Sequence, residues 1–220
     1  MIRGVIFDLD GVILDSMSIW HDLGERYLNV LGMHPEEGLS RTLFSMSMEE
    51  GAAYLQNQYS IPKGVPDILN DLHKMLEDFY FYEVQPKAAA KELMIFLKEN
   101  YVPIVAATSS PREHVTRALE RNGLLTYLET IFTTGEVGES KHNPKIYNMA
   151  SEFLQTEPYE TLVFEDSLYA LQTAKEAGYR TVGIFDAAGE SDQTGMKASS
   201  EVYLRDLSEF MEEWNLFNQR

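Results

Sequence analysis

Between residue 86 and the C-terminus, short β-forming runs alternate with helix-length amphipathic segments. This alternation restricts the fold more than any other feature of the chain. The apolar runs are 103–107, 130–133, 161–164, 180–185 and 201–203. Helices are predicted over 87–100, from Ser110 to about Gly123, over 143–154, over 167–178 and at the C-terminus. Ser110 reads as an N-cap, with Pro111 at the first helical position and Glu113 closing a capping box. Strands separated by helices pair in parallel, because each crossover returns the chain to the same end of the sheet. With Val5-Ile6-Phe7 as a first strand, the expected fold is α/β, a doubly wound, Rossmann-like parallel sheet.

The stretch between the first strand and the second is of another kind. It holds few strand-like runs and reads as helices over 16–31, 35–43, 48–59 and 65–82, with breaks at Gly32, Ser45 and 61–64. Ile19, Leu23, Tyr27, Val30 and Leu31 mark one face of the first helix. Ile68, Leu69, Leu72, Met75, Leu76 and Phe79 do so in the last. The expected organisation is an α/β core domain, residues 1–14 and 84–220, carrying an inserted α-helical cap domain, residues 15–83.

Composition narrows the function. Asp plus Glu number 35 against 18 Lys plus Arg, a net charge of -17. Nucleic acid is not an expected partner, since binding it needs a basic face. An anionic substrate must instead be drawn in locally, by a metal, a lysine or helix N-termini. The absence of cysteine excludes thiol catalysis and cysteine-ligated metal. No apolar stretch approaches a membrane span and no secretory leader is visible, so a cytoplasmic, soluble protein without a membrane partner is expected, as a monomer or weak homodimer.

Candidate chemistry lies where the strands end, because open parallel sheets bind ligands beyond their carboxyl edge. Val5-Ile6-Phe7 runs into Asp8-Leu9-Asp10-Gly11, two carboxylates two residues apart followed by a residue that lets the chain turn. A calcium loop would continue with oxygen ligands, but Val12, Ile13 and Leu14 follow. Thr108 and Ser109 follow the second strand, and Glu165 and Asp166 the fourth; Lys141 precedes the helix opened by Asn143-Pro144. Together these residues fit phosphoryl transfer. A carboxylate is the expected nucleophile, and Asp10 the group that protonates the leaving alcohol and then deprotonates water. Thr108 and Lys141 would hold the remaining phosphate oxygens, with Gly11 and Ser109 counted among the substrate-binding residues. Mg2+ is the expected cofactor, held by Asp8, Asp166, Glu165 and the backbone carbonyl of Asp10.

These segments resemble the four motifs of the haloacid dehalogenase-like hydrolase superfamily. The first is Asp8-Leu9-Asp10-Gly11-Val12 and the second Thr108-Ser109. The third is Lys141-His142-Asn143-Pro144 with Ile146-Tyr147, and the fourth Val163-Phe164-Glu165-Asp166-Ser167. The resemblance covers essentially the whole chain and implies a small helical cap between motifs one and two. It implies Asp8 as nucleophile and Asp10 as acid/base. Asp10 also separates this chain from dehalogenases, which need no carboxylate there, and from phosphonatases, which carry Ala. The β-phosphoglucomutase-like branch looks nearest, but the cap arginine that holds a second phosphate in a mutase falls on Met48. The mutase histidine falls on Trp20, with His21 one residue later. A phosphatase acting on a small phosphate ester is therefore expected. A sugar-phosphate mutase is the alternative, and a non-catalytic phosphate-binding or interaction protein a second. Trp20, His21, Met46 and Met48 are expected to contact the substrate, with an apolar preference.

Overall fold

The computed structural model of the chain describes residues 1–44 and 46–219. The expected break at Ser45 lies outside the described residues. The chain forms two compact units, one of Ser16–Val84 and one of Met1–Asp15 with Gln85–Arg220.

The helical unit contains α1 (Met17–Val30), α2 (Leu39–Phe44), α3 (Met48–Tyr59) and α4 (Val65–Asp78). On α1 the buried residues are Ile19, Leu23, Gly24, Tyr27 and Leu28, whereas Val30 is exposed. The expected face is thus wrong at its end. The helix stops at Val30, and α1 is flanked by both α2 and α4, so burial spreads from one stripe to two sides. The start of α3 follows from a capping box: the Ser47 hydroxyl accepts the Glu50 N–H at 3.2 Å, and the Glu50 carboxylate accepts the Ser47 N–H at 2.8 Å. On α4, Ile68, Leu72 and Leu76 are buried. The predicted continuous helix over 65–82 instead widens after Asp78 into a π-helical turn, Phe79–Glu83. There Val84 N–H bonds the Phe79 carbonyl at 2.9 Å, which buries the Phe79 and Tyr80 rings.

The α/β unit is built on one six-stranded parallel sheet in the order β3-β2-β1-β4-β5-β6. Its strands are β1 (Gly4–Phe7), β2 (Ile104–Thr108), β3 (Thr130–Thr133), β4 (Thr161–Glu165), β5 (Arg180–Ile184) and β6 (Val202–Leu204). Its helices are α5 (Ala90–Glu99), α6 (Arg112–Arg121), α7 (Thr134–Val137), α8 (Lys145–Leu154), α9 (Leu168–Glu176), α10 (Gln193–Ser199) and α11 (Ser208–Gln219). The doubly wound α/β expectation is met.

Every residue of β1, β2 and β4 is buried, as expected of a parallel sheet covered on both faces. Neighbouring residues serve opposite faces. Ile6, Val105 and Val163 pack with Ile146, Tyr147 and Ala150 of α8. Phe7 and Phe164 meet at 4.5 Å, and Phe164 continues to Phe210 of α11 at 5.0 Å. The chain leaves β1 for β2 and β3 on one side and for β4, β5 and β6 on the other. That reversal opens a crevice at the carboxyl ends of the three central strands.

Two short helices, α7 and α10, escape the sequence reading, being too brief to show a period. The helix after β2 begins at Arg112 with Pro111 as its N-cap position, not Ser110 as expected.

Candidate active site

Strand register brings the motif residues abreast. Phe7 is paired with Ala106 on one side and Phe164 on the other, and the Asp8 N–H donates to the Phe164 carbonyl at 2.9 Å. Asp8 therefore stands beside the end of β2, Thr108, and the end of β4, Glu165-Asp166. All four residues are buried.

Lys141 enters this group from the turn before α8, where the Asn143 N–H bonds the Ser140 carbonyl at 3.0 Å. Its ammonium is only 3% exposed and donates to Asp8 Oδ1 at 2.5 Å and Glu165 Oε1 at 2.7 Å. The Tyr147 hydroxyl donates to the same Glu165 oxygen at 2.7 Å. One oxygen from each of Asp8, Glu165 and Asp166 lies within 4.8 Å of the others.

Three buried carboxylates thus share one ammonium. Burial pushes the Asp8 carboxyl well above the usual range. Lys141 opposes this, while Glu165, Asp166 and Asp10 add to it. Burial, with the charge of Glu165 next, raises Asp166 to about 8. Burial works to lower the Lys141 value, but Asp8 and Glu165 outweigh it and the ammonium is held charged. A cluster short of positive charge and composed of hard oxygen donors fits a hard divalent cation.

Asp10 faces elsewhere. Its Oδ2 accepts the Ser110 hydroxyl at 2.6 Å and the Thr108 hydroxyl at a long 3.4 Å, while Thr108 Oγ accepts the Ser110 N–H at 3.0 Å. The Asp10 side chain thus lies outside the three-carboxylate group. Ser109 is exposed, and the neighbouring Ser110 is the buried hydroxyl that holds Asp10. Sequence reasoning assigned Ser110 to helix capping; the signal it passed over was a third consecutive hydroxyl after β2. Gly11 takes φ +74° in the turn that follows Asp10, a conformation open to glycine at no steric cost. Tyr147 was quoted in motif three with no role, and its bond to Glu165 supplies one. His142 of motif three stacks on Tyr169 with ring centroids 4.3 Å apart.

The other expected substrate contacts lie in the helical unit, and there they converge. Trp20, His21, Met46 and Met48 line one pocket of about 280 Å³ with Ser47, over a floor that includes Leu23 and Leu55. The floor is apolar and buried, and Trp20 and Ser47 at the rim are exposed. Among the described residues, no helix is long and apolar enough to cross a membrane.

Comparison with known proteins agrees with this geometry. A family model for haloacid dehalogenase-like hydrolases matches residues 5–184. The chain is 26% identical over 180 residues to a phosphorylated carbohydrates phosphatase of Thermotoga maritima, covering 82% of this chain and 83% of that one. It is 26% identical over 213 residues to the validoxylamine A 7'-phosphate phosphatase of Streptomyces hygroscopicus subsp. limoneus, covering 95% and 96%. Among solved structures, a candidate β-phosphoglucomutase of Thermotoga maritima superposes with a TM-score of 0.87 at 24% identity, covering 98% and 99%, which shows a common fold. The strand order, the residues at the strand ends and the match over most of the chain lead to one assignment: the chain belongs to the haloacid dehalogenase-like hydrolase family.

Proposed function

We propose that this protein is a Mg2+-dependent phosphatase that hydrolyses a small phosphate ester through an aspartyl-phosphate on Asp8. The observation that carries this reading is the Lys141 ammonium bridging Asp8 and Glu165 with Asp166 alongside. That arrangement supports a carboxylate nucleophile in a buried pocket whose surplus negative charge calls for a cation beside the phosphate. The phosphatases among its relatives support the same class.

An Asp8 oxygen attacks phosphorus as the ester P–O bond breaks, and Asp10 delivers its proton to the departing alkoxide. Water then attacks the phosphorus of the aspartyl-phosphate. Asp10 takes the water proton, inorganic phosphate leaves and Asp8 is regenerated. Ser110 and Thr108 orient Asp10 for both transfers. Lys141 opposes the burial that discourages ionisation of Asp8 and offsets charge that develops on the phosphoryl oxygens. Mg2+ on Asp8, Asp166 and Glu165 would supply the further positive charge that lets an anionic ester approach an acidic protein.

The helical unit serves in this reading as the specificity-bearing cap. Its pocket has room for an aromatic ring or a short alkyl group, and methionine walls accommodate varied shapes. Hydrolysis of a chromogenic phosphate ester by the purified protein tests the proposal. Activity should require Mg2+, vanish with EDTA and fall at least about 10³-fold in Asp8→Asn. An active Asp8→Asn protein would refute the nucleophile.

A mutase reading has one observation in its favour, the likeness to the candidate β-phosphoglucomutase. Met48 at the pocket offers no cation for a second phosphate. A hexose 1-phosphate should release phosphate and yield no 6-phosphate.

A further inference from the structure

The side chain of Lys87, which belongs to none of the motifs, joins the first motif to a loop outside them. Its ammonium donates to the Gly11 carbonyl at 2.9 Å, the Phe185 carbonyl at 3.1 Å and Asp186 Oδ2 at 2.7 Å. An ammonium has three donors, and these three acceptors satisfy them all. The pair is well enclosed, with side-chain exposures of 17% for Lys87 and 6% for Asp186.

The three acceptors belong to two loops, one after β1 and one after β5. Gly11 is the turn directly after Asp8 and Asp10. The segment that carries Lys87 is already laid against that turn: Lys87 N–H bonds the Ile13 carbonyl at 2.9 Å, and Asp15 N–H bonds the Gln85 carbonyl at 2.9 Å. Phe185 and Asp186 open the loop after β5, and that loop backs on Asp166. A Cβ built on Gly189 would stand 3.2 Å from Asp166 Oδ2. Glu190 of the same loop accepts the Leu168 N–H at 3.3 Å, at the start of the helix that follows Asp166. The Asp186 carboxylate folds the loop by accepting the Ala188 N–H at 2.8 Å. One cation thus ties the Asp8–Asp10 loop to the loop that supports Asp166.

We propose that Lys87 is a positioning residue that sets the spacing between Asp8 and Asp166, and through it the affinity of the carboxylate cluster for its cation. The inference rests on the phosphatase reading for its catalytic consequence, but not for its metal-binding one. Supporting groups around metal ligands typically change affinity or activity 10- to 100-fold, on the order expected here. Removing the ammonium leaves Asp186 enclosed without its partner, and the loop has to relax away from Asp166 to hydrate it.

The test compares the unmodified protein with Lys87→Met and with Lys87→Met/Asp186→Asn, which also removes the stranded charge and guards against simple misfolding. Mg2+ binding is measured by calorimetry without substrate, and hydrogen exchange is followed over peptides covering 8–14 and 185–190. Both variants should bind Mg2+ about 10-fold more weakly. Exchange should accelerate in those two segments and not in β3 or α8. In turnover, kcat should fall with KM for the ester nearly unchanged. Mg2+ affinity within twofold of the unmodified protein in both variants, or exchange that rises throughout the unit, overturns the proposal. The two readings fail separately: a protein that binds Mg2+ yet hydrolyses no ester refutes the phosphatase and leaves the Lys87 measurement standing.

Discussion

The two units build their candidate sites by opposite means. In the α/β unit the polar residues that matter come from distant parts of the chain and are clamped in a buried network: Lys141 reaches Asp8 across 133 positions and Glu165 across 24. In the helical unit the pocket draws on all four helices, α1 to α4, with the segment before α3, and its walls are mostly apolar side chains around a partly exposed rim. Charges in a dry network are costly to disturb, because each stands in for another's lost hydration. Apolar pocket walls can be exchanged at small cost. Under the proposed function, the difference teaches where such a protein is free to vary: chemistry would be held by the sheet, and selectivity by surfaces that hardly touch stability.

The sharpest way to break that contrast is Lys141→Met. Two buried carboxylates would lose their cation, so a stability loss of about 3–5 kcal/mol is expected, together with a fall of about 10²–10³-fold in kcat. Thermal unfolding and turnover check the two parts. A variant as stable as the native protein would show that the network is not what holds the site.

Next in size, Met46→Ala and Met48→Ala should leave unfolding almost unchanged. They should lower hydrolysis of aryl or alkyl phosphates about 5- to 10-fold relative to a sugar phosphate, the effect of about 1 kcal/mol of lost apolar contact. Equal changes for both ester classes would remove the pocket from substrate selection.

A smaller effect concerns the α/β unit's own backbone. Ala89, at the start of α5, is held at φ +57°. The left-handed region strains a Cβ, so Ala89→Gly should stabilise by about 0.5–1 kcal/mol, the relief exceeding glycine's added chain entropy. Denaturant midpoints measure it.

The smallest is an acid effect in the helical unit. The Lys63 ammonium, 2.6 Å from Asp71, holds that carboxyl below its ordinary value against the opposing pull of burial, with the Tyr27 hydroxyl assisting. A lowered folded value means stability present above the unfolded value of about 3.9 and lost as pH falls through the folded one. The melting temperatures of the native protein and Lys63→Met should therefore converge on acidification toward pH 3. A gap that stays constant would place Asp71 outside the acid response.

How much of this was legible in the chain depended on locality. The strands and their parallel order followed from runs that are uninterrupted and apolar, since a strand buried on both faces leaves no other pattern. Asp8, Thr108, Lys141 and Glu165-Asp166 were legible because each directly follows or precedes such a run, and a parallel sheet brings those points together. Ser110 was misread as a helix cap because a serine before a proline satisfies local rules equally well; only the proximity of Asp10 turned its hydroxyl toward the site. Val30 was counted in the α1 face because periodicity alone does not say where a helix stops or how many sides are covered.

The sequence by itself thus determined the fold class, the candidate site residues at the strand ends and the acidic character of the chain. Only the tertiary structure decided that one ammonium serves both Asp8 and Glu165, that Tyr147 and Ser110 complete their surroundings, and that Lys87 joins two loops, one 76 positions away at Gly11 and one 99 positions away at Asp186. The physical reason is that a side chain's local signal reports its own backbone, whereas the partner that sets its charge state and orientation is supplied by sheet register and loop closure.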